Sequence, residues 1–169
     1  MRRLIMIGAA AVALSACDVR QAAAPAEDGA ASSATSISQA EAEKIVADAH
    51  ASFTGGDAFK IMEFYAPGAV MFDPSHVEPT GDRAIQTKWA AEFVAMKPSD
   101  LVTQMRAVQI LDGDTIVASG IAAFLADVGG HRQRLSSRYT QVFQRQSDGS
   151  WKIVHEHMSL PPAPPGPGV

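Results

Sequence analysis

Cysteine is almost missing from this chain of 169 residues. Cys17 is the only one, so no disulfide can form within the chain. Leu4 to Leu14 is an apolar run of eleven residues, too few to span a bilayer as a helix. Positive charge is scarce, with 14 Lys and Arg against 18 Asp and Glu and a formal net charge of −4. That balance argues against a nucleic-acid partner, which selects for clustered Lys and Arg. Serine and cysteine nucleophile motifs, phosphate-cradling glycine loops and dinucleotide fingerprints are absent. Gly55-Gly56 and Gly129-Gly130 are turn signals only. No segment repeats, and nothing implies a cofactor.

What is present begins with a leader. Met1-Arg2-Arg3 is a short positive start, and the eleven-residue run has the length of a signal h-region. It ends in Leu14-Ser15-Ala16-Cys17, which resembles a bacterial lipobox. In such signals the cysteine thiol receives a diacylglyceryl group and becomes the mature N-terminus. The resemblance implies a signal peptide over 1–16, lipid on Cys17, and a place in the cell envelope on the extracytoplasmic side of the membrane. An ordinary signal peptide with a chance cysteine is the alternative. Loss of Arg2 and Arg3 leaves 12 basic residues against 18 acidic ones, near −6, so lipid rather than charge would hold the chain to an anionic membrane. Asp18 also resembles an inner-membrane retention signal of some lipoproteins.

Asp18 to Thr35 is rich in Ala, Ser, Gly and Pro and cannot bury enough surface to offset its chain entropy. We read 17–37 as a flexible tether. Pro161 to Val169 has five prolines in nine residues and reads as an extended tail. Residues 38–160 form one domain. Ser38-Gln39-Ala40-Glu41 is a capping box, followed by Ala42, Ile45, Val46, Ala49 and Phe53 at helical spacing up to Gly55-Gly56. Asp57 caps a shorter helix carrying Phe59, Ile61, Met62, Phe64 and Tyr65, ended by Pro67-Gly68. Ala69 to Asp73 is a short apolar strand that ends in an acid, and Pro74 to Gly81 is a loop holding His76 and Glu78. Asp82 caps a third helix with Ile85, Trp89, Phe93 and Met96 along one stripe, closed by Pro98. Period-two patterning then predicts strands over Leu101–Leu111, Thr115–Leu125, Arg132–Gln146 and Trp151–Ser159. Their connections, Asp112-Gly113, Gly129-Gly130 and Asp148-Gly149, are hairpin turns. Three helices followed by a strand meander predict an α+β fold, with helices over one face of a curved, mostly antiparallel sheet.

The strand with Thr140-Gln141-Val142-Phe143, the Asp148-Gly149 turn and the run Trp151-Lys152-Ile153-Val154-His155-Glu156-His157-Met158-Ser159 resemble the closing hairpin of SnoaL-like domains. These belong to the nuclear transport factor 2-like superfamily. The nearest forms are bacterial proteins similar to the association domain of calcium/calmodulin-dependent kinase II. The stretch Tyr65-Ala66-Pro67, Phe72-Asp73-Pro74, Gly81 and Ala84-Ile85 resembles ketosteroid isomerase, of the same superfamily. The resemblance covers most of 38–160 and implies a cone-shaped fold whose helices and concave sheet face enclose a pocket. It also implies a homodimer through the convex face. Function is left wide, because the superfamily holds isomerases, cyclases, dehydratases, hydrolases and non-catalytic oligomerisation modules.

Alternation puts Trp151, Ile153, His155, His157 and Ser159 on one face of the last strand and Val154, Glu156 and Met158 on the other. The resemblance implies that Val154, Glu156 and Met158 face the pocket, with Tyr139, Gln141 and Phe143 of the preceding strand. Asp73 falls where the isomerase keeps its general base. A carboxylate there is either a desolvated base or an acid that caps the Pro74 loop. The isomerase's oxyanion tyrosine falls near Ala49, and its protonated aspartate falls on Gln141, so the electrostatic set for steroid isomerisation is incomplete. Glu156 either couples with Asp73, as an acid/base pair or as holders of a basic ligand group, or forms a salt bridge with Arg138, Arg145 or Lys152. His155 and His157 have a spacing that can bind metal, but no further ligands commit to it, so we assign no metal and read them as interface contacts. Trp89 packs the pocket wall, and Tyr139 is a pocket donor or core filler. The expectation is a small organic ligand, unidentified, bound by Trp89, Tyr139, Gln141, Glu156 and Met158. The alternatives are an acid/base enzyme of isomerase or dehydratase type with Asp73 as base, and a non-catalytic oligomerisation module.

Overall fold

The computed structural model describes residues 36–162. The leader, Cys17, nearly all of the tether and the tail beyond 162 lie outside the described residues. The elements run in the order α1 (Gln39–Ser52), α2 (Ala58–Glu63), β1 (Tyr65–Phe72), α3 (Arg83–Ala95), β2 (Ser99–Asp112), β3 (Thr115–Val128), β4 (His131–Arg145) and β5 (Trp151–Ser159). The five strands form one sheet in the order β1-β5-β4-β3-β2. Only the β1–β5 pair is parallel. This is the expected α+β layout, three helices on a curved, mostly antiparallel sheet.

Local chemistry explains the element ends. The Ser38 hydroxyl accepts the Glu41 amide while the Glu41 carboxylate accepts the Ser38 amide, a complete capping box. Asp57 and Asp82 cap α2 and α3 the same way, each accepting two first-turn amides. Gly129 and Gly130 both have positive φ, 59° and 80°, as the two-residue β3–β4 turn demands. Ala42, Val46 and Ala49 of α1 are fully buried with Ile61 and Met62 of α2 and Ala90 of α3, so all three helices face the sheet.

The structure corrects three expectations. First, α2 stops at Glu63, and Tyr65 opens β1. The α2 end is closed by Arg83, whose guanidinium donates to the Met62 and Tyr65 carbonyls at 2.6 and 3.3 Å. Pro67-Gly68 then sits inside a break in the β1–β5 register between Tyr65 and Val70, with Gly68 at φ +75°. Second, the buried stripe of α3 runs through Gln86, Trp89 and Ala90, while Ile85 is 42% exposed. The Gln86 amide satisfies the Ala69 and Thr80 carbonyls beside the irregular β1. Third, the faces of β5 do not alternate throughout. Val142 pairs with His155 but Phe143 pairs with Ile153, so Val154 is an extra residue in a bulge. Ile153 is therefore fully buried on the same side as Glu156, and Val154 is not the pocket residue that the resemblance implies.

The paired residues form rows across the concave face. Ile116, Phe143, Ile153 and Tyr65 make one row and pack the narrow end. The next row is Ala118, Gln141, Glu156 and Met71, all at most 2% exposed. Gly120, Tyr139 and Met158 follow, then Ala122 and Ser137, then Phe124 and Leu135 toward the open end.

Candidate functional site

A cavity begins at the polar row and widens toward the open end. The inner chamber, about 50 Å³, has Gln141 and Glu156 at its base and Phe53, Trp89, Phe93 and Phe124 around it. An outer chamber of about 470 Å³ shares Trp89, Phe93, Phe124, Ser137 and Met158 with it and adds Asp73, Glu92, Leu135 and Leu160 at the rim. The wall is a cluster of rings: Trp89 stacks on Phe93 at 5.8 Å, and Phe53 and Phe124 meet Phe93 edge-on at 5.9 and 5.3 Å.

Glu156 is 1% exposed and has no Lys or Arg partner among the described residues. Tyr65 Oη donates to its Oε2 at 2.5 Å and Gln141 Nε2 donates to its Oε1 at 2.6 Å. Since the Gln141 amide nitrogen faces the carboxylate, its oxygen accepts from His50 Nε2 at 2.9 Å. A buried line of four side chains thus runs from β1 through β5 and β4 to α1. Burial pushes the Glu156 carboxyl above its ordinary range, the two donors oppose that, and the nearby Asp73 charge adds to it. The same burial and the same carboxylate push Tyr65 well above its ordinary value, so Tyr65 holds its proton as donor. Burial lowers His50, with the Gln141 bond opposing. Lys152 donates to the Glu63 carbonyl and Arg145 lies 3.4 Å from Asp114, so of the two alternatives for Glu156 the salt bridge does not form, and its partners are the neutral donors Tyr65 and Gln141.

Asp73 follows β1 at the rim, with its side chain 9% exposed. Its Oδ1 accepts both the amide (2.8 Å) and the hydroxyl of Ser75, and its Oδ2 accepts Trp89 Nε1 at 2.8 Å. It therefore caps the Pro74 loop and lines the outer chamber at once. Tyr139, 5% exposed, lines the inner chamber edge-on to His50, and its hydroxyl has no partner. His155 and His157 lie on the opposite sheet face against Phe72, at 6.2 and 5.5 Å. Among the described residues no three His, Cys, Asp or Glu are grouped to hold a metal ion.

The geometry thus brings Trp89, Tyr139, Gln141, Glu156 and Met158 to the inner chamber and puts Asp73 at the outer one. Sequence reasoning missed two members of the buried line. Tyr65 was assigned to α2. His50 went unassigned although it lies four residues after Val46, on the buried face of α1.

The sequence profile of the SnoaL-like domain family matches residues 42–164. The chain belongs to the SnoaL-like domain family. A comparison with curated protein sequences finds no match. Among solved structures, this SnoaL-like chain is similar to one described as a calcium/calmodulin-dependent protein kinase II association domain from Xanthomonas campestris. The two share 27% identity at a TM-score of 0.66, over 75% of this chain and 90% of that one. It is also similar to a protein described as a ketosteroid isomerase from Shewanella frigidimarina, at 19% identity and TM-score 0.59, over 70% and 94%. A nuclear transport factor 2-like superfamily protein from Salmonella enterica matches at 20% identity and TM-score 0.58, over 75% and 93%. The last two likenesses speak for the cone fold alone.

Proposed function

We propose that this SnoaL-like domain binds a small organic molecule in its cone. The observation that carries the reading is the ring-walled cavity closed at its base by a buried carboxyl that meets only neutral donors. Such a concave, mostly apolar site with a few fixed polar groups is the usual form of a small-molecule site. A thermal-shift screen tests it. A ligand should raise the melting temperature, and Trp89→Ala or Tyr139→Ala should remove most of that rise. A rise indifferent to both substitutions rejects the cone as the site.

A second reading, an acid/base enzyme, draws support from the two carboxyls. Asp73 lines the outer chamber, and Glu156, pushed upward by burial, stands at the base of the inner one, so two carboxyls flank the space a substrate would fill. With Asp73 as base, Asp73→Asn lowers the turnover of any substrate found by the screen by orders of magnitude. Unchanged turnover removes Asp73 from that role.

We further propose that the chain is a lipoprotein, with a signal peptide over 1–16, lipid on Cys17 and a tether to residue 37. The Leu14-Ser15-Ala16-Cys17 tetrad supports this. Cys17→Ser should abolish incorporation of labelled palmitate and release the protein from the membrane fraction. Retained label ends the proposal. A homodimer through the outer sheet face completes the reading, supported by the likeness to the kinase association domain from Xanthomonas campestris.

A further inference from the structure

We propose that the occupant of the cone is an organic cation, an ammonium compound with an apolar, ring-sized body whose positive head rests at Asp73. This rests on the ligand-binding reading above and names the class of ligand.

The charge distribution excludes the opposite sign. The outer chamber carries two carboxylates, Asp73 and Glu92, and no Lys, Arg or His among the lining residues. The inner chamber carries Glu156 and one imidazole, His50, whose Nε2 is committed to Gln141. Glu92 pairs with Lys88 one turn away on α3, at a site where both side chains are well exposed. His76 Nδ1 stands 3.6 Å from Asp73 Oδ1, but its ring is 44% exposed to water. An anion entering the cone would lose its hydration with no counter-charge to meet it. A cation meets a carboxylate already out of water and held by neutral donors alone.

The acceptor at Asp73 is also open in the right place. Its Oδ1 is filled by the two Ser75 donors, but Oδ2 accepts only the Trp89 ring N–H and keeps a second acceptor position. Trp89, Phe93 and Phe124 line the same chamber and give the apolar body of such a ligand an aromatic wall. Deeper in the cone the Tyr139 ring lines the inner chamber, while its hydroxyl lies over Gly120, closed off from the cavity. Chambers of about 470 and 50 Å³ fit a ring with a short arm rather than a long chain.

Three compounds that share one ring decide the matter by calorimetry on the full-length protein: tyramine (cation), tyrosol (neutral) and 4-hydroxyphenylacetate (anion). Tyramine should bind about tenfold tighter than tyrosol, and the acid should not bind measurably. Added salt should weaken tyramine and leave tyrosol unchanged. Asp73→Asn should bring tyramine within about twofold of tyrosol. Should that variant fail to fold, the salt series on the unaltered protein still decides. Tyrosol or the acid binding as tightly as tyramine overturns the cation while leaving the cone as a ligand site. No binding of tyramine overturns it too, and the screen with Trp89→Ala then judges the cone separately.

Discussion

Glu156 is a carboxyl without a counter-charge, and stability must register that. Its folded-state pKa lies above the ordinary 4.5, so between 4.5 and the raised value the folded chain holds a proton the unfolded chain has lost. Stability from this group is full below pH 4.5 and is lost as pH rises through the raised value. His50 works in the opposite sense: its folded value lies below 6.5, so its contribution is full above 6.5 and is lost as pH falls through the lowered value. Glu156→Gln should therefore gain stability relative to the parent as pH climbs above 4.5, read as the difference in urea unfolding free energy at several pH values. A difference that stays flat from pH 4 to pH 8 contradicts the assignment. Tyr65→Phe tests the same group from the other side. Removing the donor leaves Glu156 Oε2 desolvated, which costs about 1–3 kcal/mol. A loss below about 0.5 kcal/mol would mean that the short Tyr65 bond adds little. At this scale the sequence was partly legible. Gln141, Glu156 and Tyr139 follow from alternation and resemblance. Tyr65 did not, because Pro67-Gly68 looks like a helix stop when it in fact breaks a strand register.

Elements were read more easily than their irregularities. Helix caps and Gly-containing turns are local chemistry, so α1, α3 and the β2–β3 and β3–β4 hairpins fall within a few residues of their expected ends. Bulges have no such signature. The extra Val154 exists because Ile153 must fill the narrow end beside Phe143 while Glu156 stays in the polar row, a demand set by two neighbouring strands. Period-two reasoning along β5 alone cannot see it. Gly120 is a second case of tertiary demand. It pairs with Tyr139, and a Cβ there would stand 3.0 Å from the Gln104 carbonyl oxygen, 3.0 Å from Tyr139 Oη and 3.2 Å from Arg106 Cα. The missing side chain lets the Tyr139 ring lie across β3. Gly120→Ala should cost about 1–3 kcal/mol through overpacking. Adding Tyr139→Phe should recover only part of it, since two of the three obstacles are backbone of β2. Full recovery would show that the hydroxyl alone was in the way. At the capping box, Ser38→Ala should cost about 1 kcal/mol.

The whole molecule has two unlike faces. Helices and a cavity cover the concave side of the sheet, while the other side has no described element over it. There the row Val70, His155, Val142 and Val117 crosses four strands, and Phe72 and His157 sit side by side beyond it. Val70 and Phe72 are 36% and 38% exposed. Antiparallel sheets tolerate water on one face when that face is polar; here the valine and imidazole row ends at Gln109 and is flanked by polar rows, Ser119, Thr140 and His157 on one side and Gln144 and Lys152 on the other. In the homodimer proposed above, the two-fold operation would lay the row against itself. Val142 is the residue to test, because it stands at the centre of the row and on the far side of β4 from Gln141 and the cavity. Val142→Asp would place two carboxylates against each other at the two-fold centre, where no paired cation lies in the row. If the parent is the proposed dimer, light scattering should show it replaced by monomer, with the far-ultraviolet circular dichroism and the ligand-induced rise in melting temperature both retained. Loss of that rise along with the dimer would mean the cone depends on assembly, and a parent protein that is monomeric at tens of micromolar would leave the outer face without the role argued for it.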